Sequence, residues 1–402
     1  MISKIRVTIL FFCFLFSCKD NNAGPLLNGI DVFFNQNLDE YSGEKVALVL
    51  NHTSVNRNGR SLLDLSQEKL NVVAIFTPEH GLFGTAEAGK KIDDNTYQGI
   101  SVFSLYGKNK APTSKQLQGI DLILFDMQDI GSRYYTYIST LSHVMKSASD
   151  NDIKVVILDR VNPIGRKIEG PTLKYEHSSF VGMHPVPIRH GLTIGEFSNM
   201  IAELNWMEFS YRPRLEIIPV SGWNGGYSDI TTKPSPNIED LEAALIYTGM
   251  CLLEGTNLSE GRGTNTPFKL FGAPWMNSDE VINKVGNLNG VELSSVNFTP
   301  MSMPGKSKYP KFQNQLCNGI SIRITDMEQF EPIMLAVKIL KAVYELHPDD
   351  FKILDTNFID KLYGSDALKN NIISNSSIDE LIVTWSSDSK EFESLSRKFR
   401  IY

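Results

Sequence analysis

The sequence predicts an α/β fold: a Rossmann-like, mostly parallel sheet domain, then a second, smaller α/β domain, with an interdomain cleft. Three observations carry this. The runs 71–76, 120–125 and 154–158 contain continuous stretches of Val, Ile, Leu, Ala and Phe, at 72–76, 122–125 and 155–158, as strands buried on both faces require. Helical patterns alternate with these runs at βαβ spacing. Each run also ends in a polar loop rich in acids, and in open α/β sheets the ligand crevice lies beyond the carboxyl ends of the strands.

In chain order, 45–50 (KVALVL) reads as the first strand, a helix follows near 61–68, and the next strand ends at Phe76. A short strand at 101–105 precedes the strand 120–125, a helix near 134–149 and the strand 155–158. Thr193 and Glu196 stand at the N-cap and N3 positions of a capping box, predicting a helix over 193–204. A strand at 215–220 completes this half, and Lys233-Pro-Ser-Pro-Asn237 reads as a hinge or boundary. Beyond it come a helix at 241–253, a strand at 320–324, a long helix at 331–346 and a last helix near 378–385. The expected organisation is residues 1–17 as signal peptide, 18–27 as tether, 28–235 as the Rossmann-like catalytic domain and 236–402 as the C-terminal α/β domain.

A chain of 402 residues, 42% hydrophobic, buries a sizeable core. A net charge of −7 argues against nucleic acid or an anionic membrane surface as partner. Lys4 and Arg6 precede an apolar stretch, 7–16, too short to span a bilayer. Leu15-Phe16-Ser17-Cys18 then resembles a lipobox, so Cys18 is expected to carry a lipid on a polar tether. That places the mature protein in the bacterial cell envelope, on the membrane only through its N-terminal lipid. Cys251 and Cys317 sit in apolar surroundings and read as buried thiols.

The motifs narrow the chemistry. Gly84 to Lys91 has phosphate-loop spacing, but Lys91 stands where Ser or Thr must hold the cation, and no G-x-G-x-x-G occurs. His52, His80, His184 and His190 are scattered without metal-site spacing, so no metal or other cofactor is expected. What stands out is Pro78-Glu79-His80-Gly81, the stretch from Asp126 and Asp129 through Arg133, Tyr134 and Tyr137, the loop carrying Asp159, Arg160 and Glu169, and the glycine-rich loop Glu254 to Thr264 with Asn257, Glu260 and Arg262. Acids, guanidinium groups and aromatic faces together suit a sugar. The expectation is that Glu79, Asp126, Asp129 and Asp159 gather in one crevice.

These segments, with Arg189-His-Gly-Leu-Thr-Ile-Gly-Glu196 and Pro234-Ser-Pro-Asn237, together resemble the NamZ-like (YbbC-like) exo-β-N-acetylmuramidases. The likeness covers nearly everything after the tether. Val161 stands where a proline is common, and Thr232-Lys233 where an apolar pair is common. The resemblance implies a glycoside hydrolase that releases N-acetylmuramic acid from the non-reducing end of peptidoglycan fragments. Such chemistry needs an acid for the leaving oxygen and a second group at the anomeric carbon. Glu79 is the expected general acid and Glu169 the second carboxylate, with Glu260 in reserve; the substrate's acetamido oxygen is an alternative nucleophile. His80, Asp126, Asp129, Arg133, Tyr134, Asn257 and Arg262 are the expected binding residues, the two arginines as partners for a lactyl carboxylate. Two rival classes fit the same cleft: a non-catalytic muropeptide-binding lipoprotein, and a metal-dependent esterase or deacetylase of cell-wall sugars.

Overall fold

The computed structural model describes residues 24–87, 94–107 and 109–402. The expected signal peptide, Cys18, the tether before Gly24 and the end of the phosphate-loop-like stretch lie outside the described residues.

Seven strands form the first sheet: β1 (Lys45–Leu50), β2 (Asn71–Thr77), β3 (Asn95–Tyr97), β4 (Ile100–Ser104), β5 (Leu122–Asp126), β6 (Lys154–Leu158) and β7 (Leu215–Ile218). Their order is β3-β4-β2-β1-β5-β6-β7, parallel except for β3, which runs against β4 at the edge. The period of two along each strand sorts side chains to opposite faces. Ala47, Val49, Ile123, Phe125, Val155 and Ile157 enter one core. Val46, Leu48, Leu50, Leu122, Leu124, Val156 and Leu158 enter another, closed by Ile30, Phe33 and Tyr41 from the segment before β1.

Helices cover both faces where the chain must cross over between parallel strands. Ser61 caps the helix Leu62–Lys69 by accepting from the Asp64 N–H. Thr193 and Glu196 make the expected capping box on the helix Ile194–Glu203. Between β5 and β6 runs the helix Tyr137–Asp150.

The second half is built on an antiparallel sheet of three strands, β8 (Leu270–Ala273), β9 (Val291–Phe298) and β10 (Cys317–Ile324), with β10 in the middle. The helices Leu241–Met250 and Pro332–Leu346 pack closely. A Cβ on Gly249 would lie 1.9 Å from the Pro332 carbonyl oxygen, so only glycine allows this approach. Leu245, Phe271, Ile320, Ile333 and Leu340 belong to the same core as one face of the first sheet. Apolar packing is thus continuous between the halves. Cys251 and Cys317 are buried free thiols.

Candidate active site

Loops at the carboxyl ends of β2 and β5 and loops of the second half enclose a cavity of about 500 Å³, a size suited to a small ligand. From the first half come Glu79, His80 and Glu87 after β2, Tyr106 after β4, Tyr134 to Tyr137 leading into the helix Tyr137–Asp150, and Phe180 and Val181. From the second come Tyr247, Cys251, Glu254, Arg262, Phe268 and the stretch 306–309.

Glu79 and His80 sit on a turn the backbone makes at some cost. His80 itself has φ +71°, followed by Gly81 at +72° and Gly84 at +65°, a region that penalises a residue with a Cβ. The turn is tied by the His80 ring, whose Nδ1 donates to the Ala86 carbonyl oxygen at 2.6 Å. Burial lowers the His80 pKa; the Glu79 charge opposes this and Arg262 adds to it. His80 is therefore a neutral imidazole protonated on Nδ1, with Nε2 as an acceptor. The Thr136 hydroxyl donates to Glu79 Oε2 at 3.3 Å, fixing the carboxyl against the start of the helix Tyr137–Asp150.

The tyrosines form a wall of rings with their hydroxyls turned inward to backbone. Tyr135 and Tyr137 donate to the Pro234 carbonyl at 2.7 and 3.2 Å, and Tyr134 donates to the Thr248 carbonyl. Edge contacts link Tyr134 to Tyr247 at 5.5 Å and Tyr247 to Phe268 at 4.8 Å. Burial pushes the Tyr134, Tyr135 and Tyr247 hydroxyls and the Cys251 thiol well up, so all stay protonated and none is a nucleophile.

Arg262 organises the charged side. Its Nη2 donates to Glu254 Oε1 at 2.8 Å, its Nε lies 3.4 Å from Glu260 Oε1, and its guanidinium covers the Phe268 ring at 5.0 Å. Burial works against this cation, but Glu254 and Glu260 hold its pKa above the ordinary arginine value. Lys311 stands behind: its Nζ is 3.0 Å from Glu260 Oε2 and donates to the Leu253 and Leu258 carbonyls at 3.1 and 2.9 Å. Burial disfavours the Glu260 charge, yet Lys311 and Arg262 outweigh it and depress its pKa. Glu260 is an ionised brace.

Of the residues expected from sequence, Glu79, His80, Tyr134 and Arg262 come together in the lining; Glu169, Glu260, Asp126, Asp129, Arg133 and Asn257 do not. Glu169 is held by Arg189, whose Nη1 donates to Glu169 Oε2 at 2.8 Å, while the two backbones pair in both directions at 3.0 Å. Asp126 is fully buried and takes a two-pronged contact from Arg160. Asp129 accepts from the Gly131 N–H at 2.7 Å, and Asp159 accepts from Thr193, Gly195 and Tyr402. The buried Arg133 guanidinium spends four N–H bonds on carbonyls, those of Pro171 and Val186 in the first half and of Leu362 and Tyr363 in the second. It is a clasp with no face left for substrate. Asn257 bonds the backbone of Asp350 and Lys352. The expected gathering of strand-end acids is thus a set of separate braces beneath the cavity, and Glu79 alone of the four reaches its lining.

The lining also holds residues that sequence reasoning left without a role: Glu254, Tyr106, Phe180, Tyr247, Lys306, Lys308 and Tyr309. Glu254 was visible as the first residue of the glycine-rich loop. Pro304-Gly305 between Met303 and Lys306 is a turn signal, but nothing local says what that turn faces.

A Rossmann-like sheet whose strand-end loops and a second antiparallel-sheet domain together close a carboxylate- and tyrosine-lined cavity defines an α/β protein of the small-ligand enzyme class. The chain belongs to the exo-β-N-acetylmuramidase NamZ family: the N-terminal family model matches residues 46–242 and the C-terminal model residues 245–402. The peptidoglycan β-N-acetylmuramidase NamZ of Bacillus subtilis (strain 168) is 36% identical over 388 residues, covering 93% of this chain and 91% of that protein. Crystal structures of two DUF1343 family proteins from Bacteroides fragilis NCTC 9343 match with TM-scores of 0.84 and 0.77 at 28% and 29% identity. Each match covers 94% of this chain and 99% of the other.

Proposed function

We propose that this chain is an exo-acting glycosidase that releases N-acetylmuramic acid from the non-reducing end of peptidoglycan fragments, with Glu79 as general acid and Glu254 as the second carboxylate. Family membership and the Bacillus subtilis relative support the reaction and its substrate. The observation that carries the mechanism is that Glu79 and Glu254, from the two halves of the chain, line one cavity, each oriented by a partner: Thr136 for Glu79 and Arg262 for Glu254. Glu79 gives its proton to the glycosidic oxygen as the bond to the anomeric carbon breaks. Glu254 serves the anomeric side, where the oxygen of water finally bonds to carbon and the water's proton passes to a carboxylate of the pair. The tyrosine wall excludes water from the rest of the sugar and supplies flat apolar surface for a pyranose ring.

The test is turnover of a chromogenic β-N-acetylmuramide. On a disaccharide of muramic acid and glucosamine, whose leaving sugar needs a proton, Glu79→Gln and Glu254→Gln should each lower kcat by roughly 100- to 10,000-fold. An aryl leaving group that departs without a proton should rescue Glu79→Gln but not Glu254→Gln. Wild-type turnover of the disaccharide in either variant overturns that residue's role.

The basic, apolar and Leu15-Phe16-Ser17-Cys18 segments support an envelope lipoprotein tethered through Cys18. Palmitate labelling in the native host should be lost in Cys18→Ala, and equal label in both would refute the anchor.

A further inference from the structure

N-acetylmuramic acid differs from N-acetylglucosamine in one group, a lactyl ether that ends in a carboxylate. The cavity already carries the carboxyl groups of Glu79, Glu87 and Glu254, so a further anion needs a cation that is not already committed. Among the described residues, three cationic chains of lysine or arginine line the cavity: Arg262, Lys306 and Lys308. Arg262 is shared between Glu254 and Glu260. Lys306 is paired with Glu239 at 2.8 Å. Among the described residues, no carboxylate lies within ion-pair distance of Lys308. Its Nζ rests 5.2 Å from the centre of the Tyr309 ring, a contact that orients an ammonium without neutralising it.

The backbone that carries Lys308 is fixed. Met303 and Ser307 exchange N–H to carbonyl bonds at 2.8 Å, closing a turn at Gly305. The Gly305 N–H donates to Glu87 Oε1 at 3.1 Å, and Asn237 Nδ2 donates to the Lys306 carbonyl at 3.0 Å. Upstream, the Met301 N–H donates to the Gly263 carbonyl at 2.8 Å, tying the stretch to the loop of Arg262. The turn from the second half is thereby pinned to the first, with the exposed Lys308 at the cavity mouth.

We propose that Lys308, flanked by Tyr309, pairs with the lactyl carboxylate and is the residue that selects muramic over glucosamine sugars. The proposal rests on the muramidase reading and replaces Arg133 and Arg262 in the role expected for them.

The experiment compares wild type, Lys308→Met and Lys308→Arg on the chromogenic β-N-acetylmuramide, on its lactyl methyl ester and on the matching β-N-acetylglucosaminide. Free N-acetylmuramic acid is titrated in parallel by calorimetry. Lys308→Met should lose roughly tenfold or more in kcat/KM on the acid, mostly through KM, since one charge-assisted bond is removed. On the ester, where no anion exists, wild type and Lys308→Met should be equal, and Lys308→Arg should recover the acid. Calorimetry should show the same loss of affinity. An unchanged preference for the acid over its ester in Lys308→Met overturns the proposal, as does an equal loss on both. If wild type binds the free sugar but hydrolyses none of the glycosides, the muramidase reading fails while the titration still decides the role of Lys308.

Discussion

Glu79 and Glu169 look alike as letters: each lies in a loop after a buried strand, next to a glycine and a proline. Their partners separate them. Glu79 meets a hydroxyl at the edge of a cavity, whereas Glu169 meets a guanidinium that is wholly buried. A strand-end acid is equally expected in a site or in a brace, and its partner comes from a distant part of the chain. This is why Asp126, with Arg160, and Asp159, with Thr193, were legible as important but not as to their task. Arg133 misled for the same reason, because four carbonyls from remote loops cannot be read from its neighbours. The difference is measurable. In Glu169→Gln the Arg189 guanidinium keeps its Ile164 carbonyl contact but loses its anion. Breaking one side of a buried pair costs about 3–5 kcal/mol, and the lower end applies because Glu169 is slightly exposed. The expected result is a clearly lowered thermal midpoint with kcat of the folded enzyme unchanged. A hundredfold loss of kcat at an unchanged midpoint would return Glu169 to the catalytic role first expected of it.

At the scale of elements, the strands buried on both faces were readable because short apolar runs rich in β-branched residues, such as Val72-Val-Ala-Ile-Phe76, suit a central parallel strand. Observed bounds of β1, β2, β5 and β6 lie within two residues of those expected. The second half was harder. Strand β9 shows alternation at Val291 and Leu293, then slips phase at Ser294-Ser295 before Val296 and Phe298, although its pairing with β10 continues without a bulge. Strand β8 has four residues ended by Pro274, too few for a pattern. The last helix was expected to stop near residue 385 and instead runs Asp379–Ser396. Its polar middle hid a narrow buried stripe of Leu381, Trp385, Phe392 and Ser396 at helical spacing. The cavity depends on this less legible half, since Glu254, Arg262 and the turn before Lys308 all come from it. The resemblance named the reaction, while the residues facing the sugar required the tertiary arrangement.

The whole molecule is held as one unit by its core and by a clasp. The segment Arg400–Tyr402 returns to the first sheet. There the Ile401 N–H donates to Glu196 Oε1 at 2.8 Å, and Arg166 donates to the Tyr402 carbonyl at 3.0 Å. The Tyr402 hydroxyl donates to Asp159 Oδ2 at 2.7 Å and accepts from the Val220 N–H at 2.7 Å. Tyr402→Phe keeps the ring and removes both bonds, leaving the Val220 N–H without its acceptor. A cost of about 1–3 kcal/mol follows, and because the halves share one core it should appear as a shift of a single transition. The cost should also depend on pH, with a definite sign. Burial raises the Asp159 pKa from 3.8 to about 6, against the pull of the Thr193 and Tyr402 hydroxyls. A carboxyl whose folded pKa is raised favours folding most below its unfolded pKa, and that advantage is lost as pH rises through about 6. Without the Tyr402 hydroxyl the charged form is less well held, so the folded pKa rises further and the penalty above it grows. Calorimetric scans should therefore show a larger deficit for Tyr402→Phe at about pH 7.5 than at about pH 4.5. Equal deficits at both would mean that the clasp acts through the Val220 bond alone, and two separate transitions in the wild type would mean that the halves unfold independently.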